Sequence, residues 1–193
     1  MSEEDRSEAS ELPSVYWLID PLDGTFNYSR GIPHCCVSIA LMEGSTPRLG
    51  VIYDFLHERV FSGANGIAAS LNGQKLLLNP VPKERAQMVV ATGFPVKRIL
   101  SDEGLLHSFQ KLRGFKKVRM FGSASSSLSF VASGNVDVYW EESIMLWDVA
   151  AGVAISEAAG AKYSITPVDG KFTSNVICSP YLDVVEFLKE SDL

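Results

Sequence analysis

The chain has 193 residues, of which 46% are hydrophobic and 21% charged, which is the length and composition of an ordinary folded domain. Its longest uncharged apolar run, residues 35–42, is too short to cross a membrane, and the acidic start MSEEDRSEAS is unlike a secretory signal. The net charge of -6 disfavours a nucleic-acid polymer as partner. Three cysteines without CxxC spacing predict neither a disulfide framework nor a cysteine metal site, and favour a reduced, cytoplasmic protein.

The first half of the chain is predicted to form β-strands. Apolar, β-branched and aromatic residues are concentrated in four runs, residues 14–19, 34–43, 49–55 and 58–62. Asn72 and Gly73 form the dipeptide that favours a tight type I′ hairpin turn. These signals predict an antiparallel sheet in residues 1–85.

In the second half, predicted strands and helices alternate. The strands are expected at residues 86–92, 116–120, 136–140, 162–166 and 175–178, and the helices at 101–112, 124–132, 146–159 and 180–190. A run of strands followed by alternating strands and helices predicts a layered α/β or α+β architecture. We expect one domain over residues 1–193, with an α/β half at 86–193. The chain lacks the G-x-G-x-x-G and P-loop nucleotide motifs.

The segment WLIDPLDGTF places two aspartates at the end of the first predicted strand. Asp20 ends the apolar run, Pro21 forces a turn, and Asp23 follows three residues after Asp20. Neighbouring carboxylates repel one another unless a cation compensates their charge, and oxygen ligands suit Mg²⁺. The motif has two interpretations, a Mg²⁺ site or a simple Asp-Pro/Asp-Gly turn.

Two helix starts in the second half are further candidates. Asp148 lies in the first turn of the predicted helix 146–159, and Gly122, Ser123, Ala124 and Ser125 open the helix at 124–132. Helix starts attract negatively charged groups, so either could bind phosphate. Alternatively, Asp148 only charges its helix terminus and the small residues only allow close packing.

The segments DPLDGTFN, GSAS and WDVAAGVAISEAAGA, in this order, resemble the inositol monophosphatase family of Mg²⁺-dependent, lithium-sensitive-type phosphatases, which includes fructose-1,6-bisphosphatases. The resemblance covers the chain from Glu3 to the last predicted helix. It implies alternating layers of helices and sheets, Mg²⁺ as cofactor, a small phosphate monoester as substrate, and a homodimer. Family members usually carry further helices at the amino terminus, so the resemblance also implies a helical layer that is missing or incomplete here, which would leave an apolar sheet face exposed.

The resemblance assigns roles to individual residues. The implied catalytic residues are Glu3, Asp20 and Thr25, with Asp20 bridging two ions and Thr25 and Glu3 orienting and deprotonating the attacking water. The implied metal ligands are Glu3, Asp20, the carbonyl of Leu22, Asp23 and Asp148. The implied substrate-binding residues are Gly24 and Thr25 through their amides, the segment Gly122, Ser123 and Ala124, and Glu141 and Asp148.

Some residues have a simpler interpretation. Glu3 lies in an acidic segment that could equally be an exposed tail. The histidines are scattered without ligand spacing, which favours structural or exposed positions. Trp17 and Trp147 flank the acidic residues and are predicted to be core residues that hold those loops.

The sequence therefore predicts a Mg²⁺-dependent phosphomonoesterase that acts on inositol monophosphate or a related sugar phosphate. Fructose 1,6-bisphosphate is the alternative substrate, with Lys117 or Arg119 as candidates to bind its second phosphate; a phosphonucleotide 3′-phosphatase is more distant. A rival of another class is a catalytically inactive family member with a binding role.

Overall fold

The computed structural model describes residues 12–81, 83–94, 102–169 and 172–190. These residues form four layers in the order sheet, helices, sheet, helices. One apolar cluster fills the space between the two sheets, and a second lies between the second sheet and the outer helices. None of the described helices is long and apolar enough to cross a membrane.

The first sheet consists of six antiparallel strands that follow one another in chain order. Its strands are β1 (Val15–Asp23), β2 (Cys36–Glu43), β3 (Thr46–Asp54), β4 (Arg59–Ala64), β5 (Ile67–Leu71) and β6 (Gln74–Lys75). The four predicted runs are strands, and the predicted turn at Asn72 and Gly73 joins β5 to β6 with positive φ at both residues. A short helix, α1 (Thr25–Ser29), follows β1.

The second sheet has five strands in the order β10-β11-β9-β7-β8, with β7 parallel to both of its neighbours. Its strands are β7 (Val89–Ala91), β8 (Lys117–Arg119), β9 (Val138–Met145), β10 (Lys162–Asp169) and β11 (Thr173–Ser179). The remaining helices are α2 (Asp102–Leu112), α3 (Ala124–Ala132), α4 (Leu146–Ala159) and α5 (Leu182–Glu190). The sequence predicts that β9 ends at residue 140, but the strand continues to Met145, immediately before α4.

Helix α4 lies between the two sheets, which explains why nearly all of its residues are apolar or small. Glycines allow its close approach on two sides. A Cβ added at Gly50 on β3 would lie 2.1 Å from the carbonyl oxygen of Ala151, and one added at Gly152 would lie 2.4 Å from the Cβ of Leu128 on α3. The small residues that the sequence places here therefore set the distances between layers.

In the described part of the chain, the outer face of the first sheet is apolar and exposed. Along β1, Tyr16 and Leu18 point into the core, whereas Val15 and Trp17 point outward, and Trp17 is 48% exposed. The prediction that Trp17 is a core residue was wrong because strand alternation places it on this outer face. Trp147 is buried as predicted and packs against Phe172.

Candidate active site

The two aspartates of the DPLDG motif lie on the same, buried side of the first sheet. In a regular strand, side chains three residues apart point to opposite faces. Here Asp20 pairs with Ser38 and Asp23 with Cys36, so β1 holds one residue more than β2 between these pairs. This bulge turns both carboxyl groups inward, and Asp20 is only 1% exposed.

Asp23 joins the end of β1 to the start of α3. Its Oδ2 accepts hydrogen bonds of 2.7 Å from the Ser123 hydroxyl and 2.7 Å from the Ser125 backbone N–H. Burial raises the pKa of Asp23 to about 6, although these donors lower it. The anion that binds at the α3 amino terminus is therefore a carboxylate of the chain itself.

The loop after β1 depends on Gly24. Its φ of 83° is left-handed, and an added Cβ would lie 2.6 Å from the His34 carbonyl oxygen, so a side chain is excluded for two independent reasons. Helix α1 begins at the next residue. The exposed Thr25 hydroxyl donates a 2.8 Å hydrogen bond to the Leu22 carbonyl, and the Leu22 N–H donates to Asp20 Oδ1 at 2.9 Å.

Asn27 ties this loop to the segment before α3. Its buried side-chain amide donates to the carbonyls of His34 at 2.8 Å and Phe121 at 2.6 Å. A Cβ on Gly122, whose φ is 72°, would lie 2.9 Å from the Asn27 side chain. Gly122 thus allows the Asn27 amide to connect the two halves of the chain.

Glu141 lies on β9 with its carboxyl group buried against two neighbours. The Tyr139 hydroxyl donates a 2.8 Å hydrogen bond to Glu141 Oε2, and a Cβ on Gly93 would lie 2.5 Å from Glu141 Oε1. Burial raises the pKa of Glu141 to about 7, the Tyr139 hydrogen bond lowers it, and the negative charge of Asp23 raises it.

Asp148 lies in the first turn of α4 with a half-buried side chain. Its main-chain carbonyl accepts a 2.6 Å hydrogen bond from the Ser125 hydroxyl, which joins the starts of α3 and α4. Three of the acids lie close enough to the Tyr139 hydroxyl for their charges to affect its pKa. Burial raises its pKa most, and the negative charges of Glu141, Asp148 and Asp23 raise it further.

The carboxylates have the donor chemistry that a hard divalent cation prefers. Burial holds the pKa of Asp23 and Glu141 above the ordinary range, and a positive charge would reverse this. In the described part of the chain, however, no three His, Cys, Asp or Glu side chains are arranged so as to hold a metal ion. Glu3, the remaining predicted ligand, lies outside the described residues. The donor types fit Mg²⁺, and a complete ligand set is not formed by these residues alone.

Contacts rather than motifs identify several further site residues. Asn27, Gly93 and Tyr139 hold the acids or the loops that carry them, and the sequence predictions assigned none of them a role. Asn27 is the last residue of the motif DPLDGTFN, and its place in that motif was the sequence signal that could have identified it. Of the basic candidates for a second phosphate, Lys117 and Arg119 are exposed on the edge strand β8.

The model of the inositol monophosphatase family matches residues 1–186 of this chain. The chain belongs to the inositol monophosphatase family. The expected layered fold is confirmed by the structure of the inositol monophosphatase from Anabaena, which superposes with a TM-score of 0.86 at 34% identity, covering 98% of this chain and 77% of that one. SuhB of Mycobacterium tuberculosis superposes with a TM-score of 0.83 at 28% identity, covering 99% of this chain and 74% of its own.

Relatives in this family carry two kinds of name. The chain is 41% identical over 147 residues to a Nus factor SuhB of Xylella fastidiosa, covering 76% of this chain and 53% of that protein. It is 36% identical over 157 residues to an inositol-1-monophosphatase of Synechocystis, covering 79% and 54%. The chain thus spans little more than half the length of these two relatives.

Proposed function

We propose that this member of the inositol monophosphatase family is a Mg²⁺-dependent phosphomonoesterase that acts on inositol monophosphate or a related sugar phosphate. The observation that carries the proposal is that acids from both halves of the chain, Asp23, Glu141 and Asp148, lie near enough to the buried Tyr139 hydroxyl for their charges to raise its pKa. Asp20 and Asp23 come from the bulged end of β1, and Glu141 and Asp148 come from β9 and α4. Buried and half-buried carboxylates in one place favour a cationic cofactor over a purely structural role.

The residues that would hold Mg²⁺ are Asp20, Asp23, Asp148, the Leu22 carbonyl and Glu3. When bound, the cation neutralises the charge of the phosphate ester, favours ionisation of the attacking water and stabilises the leaving oxygen. The Asp23 geometry suits this role because the Ser123 hydroxyl and the Ser125 N–H both donate to its Oδ2. Those two hydrogen bonds fix the orientation of the whole carboxyl group.

The chain's own residues would orient the water and the phosphate. The single proton of the Thr25 hydroxyl is donated to the Leu22 carbonyl, so Oγ1 presents its lone pairs and can accept a hydrogen bond from the attacking water. To transfer a proton onward, the hydroxyl would have to leave Leu22 for another acceptor, a role that the family resemblance gives to Glu3. The amides of Gly24 and Thr25 would donate to the phosphate oxygens.

Glu141 would bind a hydroxyl of the substrate. Tyr139 donates to one of its carboxylate oxygens and Gly93 leaves the carboxyl group little room to move. A hydroxyl donor matches the remaining acceptor capacity of this carboxylate. Asp148 would contact the substrate from the start of α4, and the segment 122–124 would line the same region. No contact of the described residues favours fructose 1,6-bisphosphate, since Lys117 and Arg119 are on β8, two strands from β9.

The experiment measures phosphate release from inositol 1-phosphate and fructose 1,6-bisphosphate, each with and without Mg²⁺. We expect Mg²⁺-dependent release that Asp23→Asn and Asp148→Asn abolish, with circular dichroism spectra like those of the parent chain. Normal turnover by either variant would refute the metal assignment. No release from the folded chain would favour the alternative of an inactive member with a binding role.

A role as a Nus factor is the second candidate, because the relative that is 41% identical carries that name. The same variants distinguish the two functions. A binding role survives Asp23→Asn when the fold is retained, whereas phosphate release does not.

A further inference from the structure

Strand β9 contains a bulge immediately after Glu141. The strand pairs with β11 through Glu141 opposite Val176 and Ile144 opposite Ser174, so two residues of β9 face Asn175 alone. One of the two, Ser143, has a φ of 55°, in the left-handed region that favours glycine. Its buried hydroxyl has no hydrogen-bond partner among the described residues.

Two neighbouring elements hold this unfavourable conformation. From β11, Asn175 Oδ1 accepts a 3.0 Å hydrogen bond from the Ser143 N–H, which replaces the ladder bond lost at the bulge. From α2, Ser108 donates a 3.2 Å hydrogen bond to Glu142 Oε2, and the buried Lys111 Nζ lies 3.6 Å from Glu142 Oε1. A strained backbone persists when its surroundings determine it in this way.

The bulge determines where the Glu141 carboxyl group points. Glu142 is held on the α2 side of the second sheet, so by strand alternation Glu141 points to the opposite side, where Tyr139 donates to it. A Cβ on Gly93 would lie 2.5 Å from Glu141 Oε1, so a small rotation of the strand brings the carboxyl group against the backbone. Loss of the bulge would therefore move the one group that the proposed function assigns to a substrate hydroxyl.

We propose that Asn175 and Glu142 are positioning residues that hold the bulge so that Glu141 can bind a hydroxyl of the substrate. The inference rests on the proposed function and deepens it, because it makes selectivity for hydroxylated phosphate esters a property of this bulge. The side chain of Lys111 is 3% exposed and that of Glu142 20% exposed, so this pair gives the bulge a second anchor beside Asn175.

The test compares two substrates. Inositol 1-phosphate has hydroxyls for Glu141 to bind, whereas p-nitrophenyl phosphate has none. Asn175→Ala is expected to raise KM for inositol 1-phosphate about tenfold, the effect of about one hydrogen bond, with kcat within about twofold. Both constants for p-nitrophenyl phosphate should stay within about twofold. Asn175→Asp keeps an acceptor for the Ser143 N–H and should restore KM.

Asn72→Ala is the matched control, because Asn72 also accepts a backbone N–H, that of Val60, but does so at the remote turn after β5. This variant should leave KM and kcat unchanged for both substrates. An equal loss on both substrates with Asn175→Ala would indicate a merely structural role and overturn the inference. Unchanged KM in a chain that hydrolyses inositol 1-phosphate would overturn it as well.

Hydrogen exchange keeps the two proposals distinguishable. Asn175→Ala should speed exchange of the Ser143 amide at least about tenfold, because that N–H loses its acceptor. The exchange rates of the β2 amides should stay unchanged. If the parent chain hydrolyses neither substrate, the proposed function fails while this readout still tests the bulge. An unchanged Ser143 amide would show that Asn175 does not hold it.

Discussion

Glu141→Gln should change how the stability of the cation-free protein depends on pH. The substitution removes the ionisable group but keeps an oxygen that accepts the Tyr139 hydroxyl. Burial raises the pKa of Glu141 from 4.5 to about 7. Between these values the folded carboxyl keeps its proton and the unfolded one has lost it, so the free energy of unfolding falls as pH rises through this window. The difference between 4.5 and about 7 corresponds to about 3 kcal/mol.

Urea unfolding in a chelator, from pH 4.5 to 8, measures the effect. The free energy of unfolding of Glu141→Gln minus that of the parent chain should rise by about 3 kcal/mol from pH 4.5 to pH 8. The slope of this free energy against urea concentration should stay unchanged. Glu43→Gln makes the same chemical change at an exposed position and serves as the control. A difference between parent and Glu141→Gln that is constant with pH would refute the reasoning, because it would show that burial does not hold the proton on Glu141.

Three further predictions concern stability. Gly50→Ala should lower the free energy of unfolding by about 3 kcal/mol or more in urea titrations, because its Cβ would lie 2.1 Å from the Ala151 carbonyl oxygen and neither backbone can move cheaply. Ser143→Gly should raise Tm by about 2–4 °C in calorimetry. Glycine relieves the left-handed φ and removes the buried hydroxyl, and this gain exceeds the entropic cost of glycine by about 1 kcal/mol. A lower Tm would contradict this. Burial is the largest single influence on the pKa of Asp54 and raises it, but the hydrogen bonds and charges of Arg59 and His57 together outweigh burial and hold that pKa below 3.8. Asp54→Asn should therefore cost about 1–3 kcal/mol at neutral pH, and the cost should shrink as pH falls below 3.8.

Most elements of the fold follow from local sequence signals. The alternation in β1 to β4, the Asn72-Gly73 turn and the small-residue helix α4 each produce a pattern within a few residues, and the structure confirms these predictions. The error at Trp17 arose from a different cause. Its neighbours in sequence indicated a buried strand, but which face of that strand is covered depends on residues far away in the chain.

Sequence patterns point to the candidate site where charged side chains lie in a motif. The sequence singled out Asp20, Asp23 and Asp148, and the structure brings Asp23 and Asp148 near the same tyrosine hydroxyl. Supporting residues such as Gly93 could not be found in this way. Its role depends on a backbone that passes within van der Waals distance of Glu141, and no local pattern records a contact between residues 48 positions apart.

The bulge in β9 shows the same limit. The prediction ended the strand at residue 140, because the polar residues Glu141, Glu142 and Ser143 do not form an apolar alternation. The strand continues because Asn175 and α2 supply the partners that the ladder lacks there. Tertiary contacts thus overrode the local signal at the position next to the proposed substrate-binding glutamate.

The hydrogen bonds from Ser123 and Ser125 to Asp23 also have a consequence for how the chain can be divided. Asp23 belongs to residues 1–85, and both donors belong to residues 86–193. A fragment that ends before β7 would carry a carboxylate without its donors, and the complementary fragment would carry a helix start without its anion. Neither piece contains a whole site, so any catalysis recovered on mixing two separately expressed fragments would directly report their reassembly.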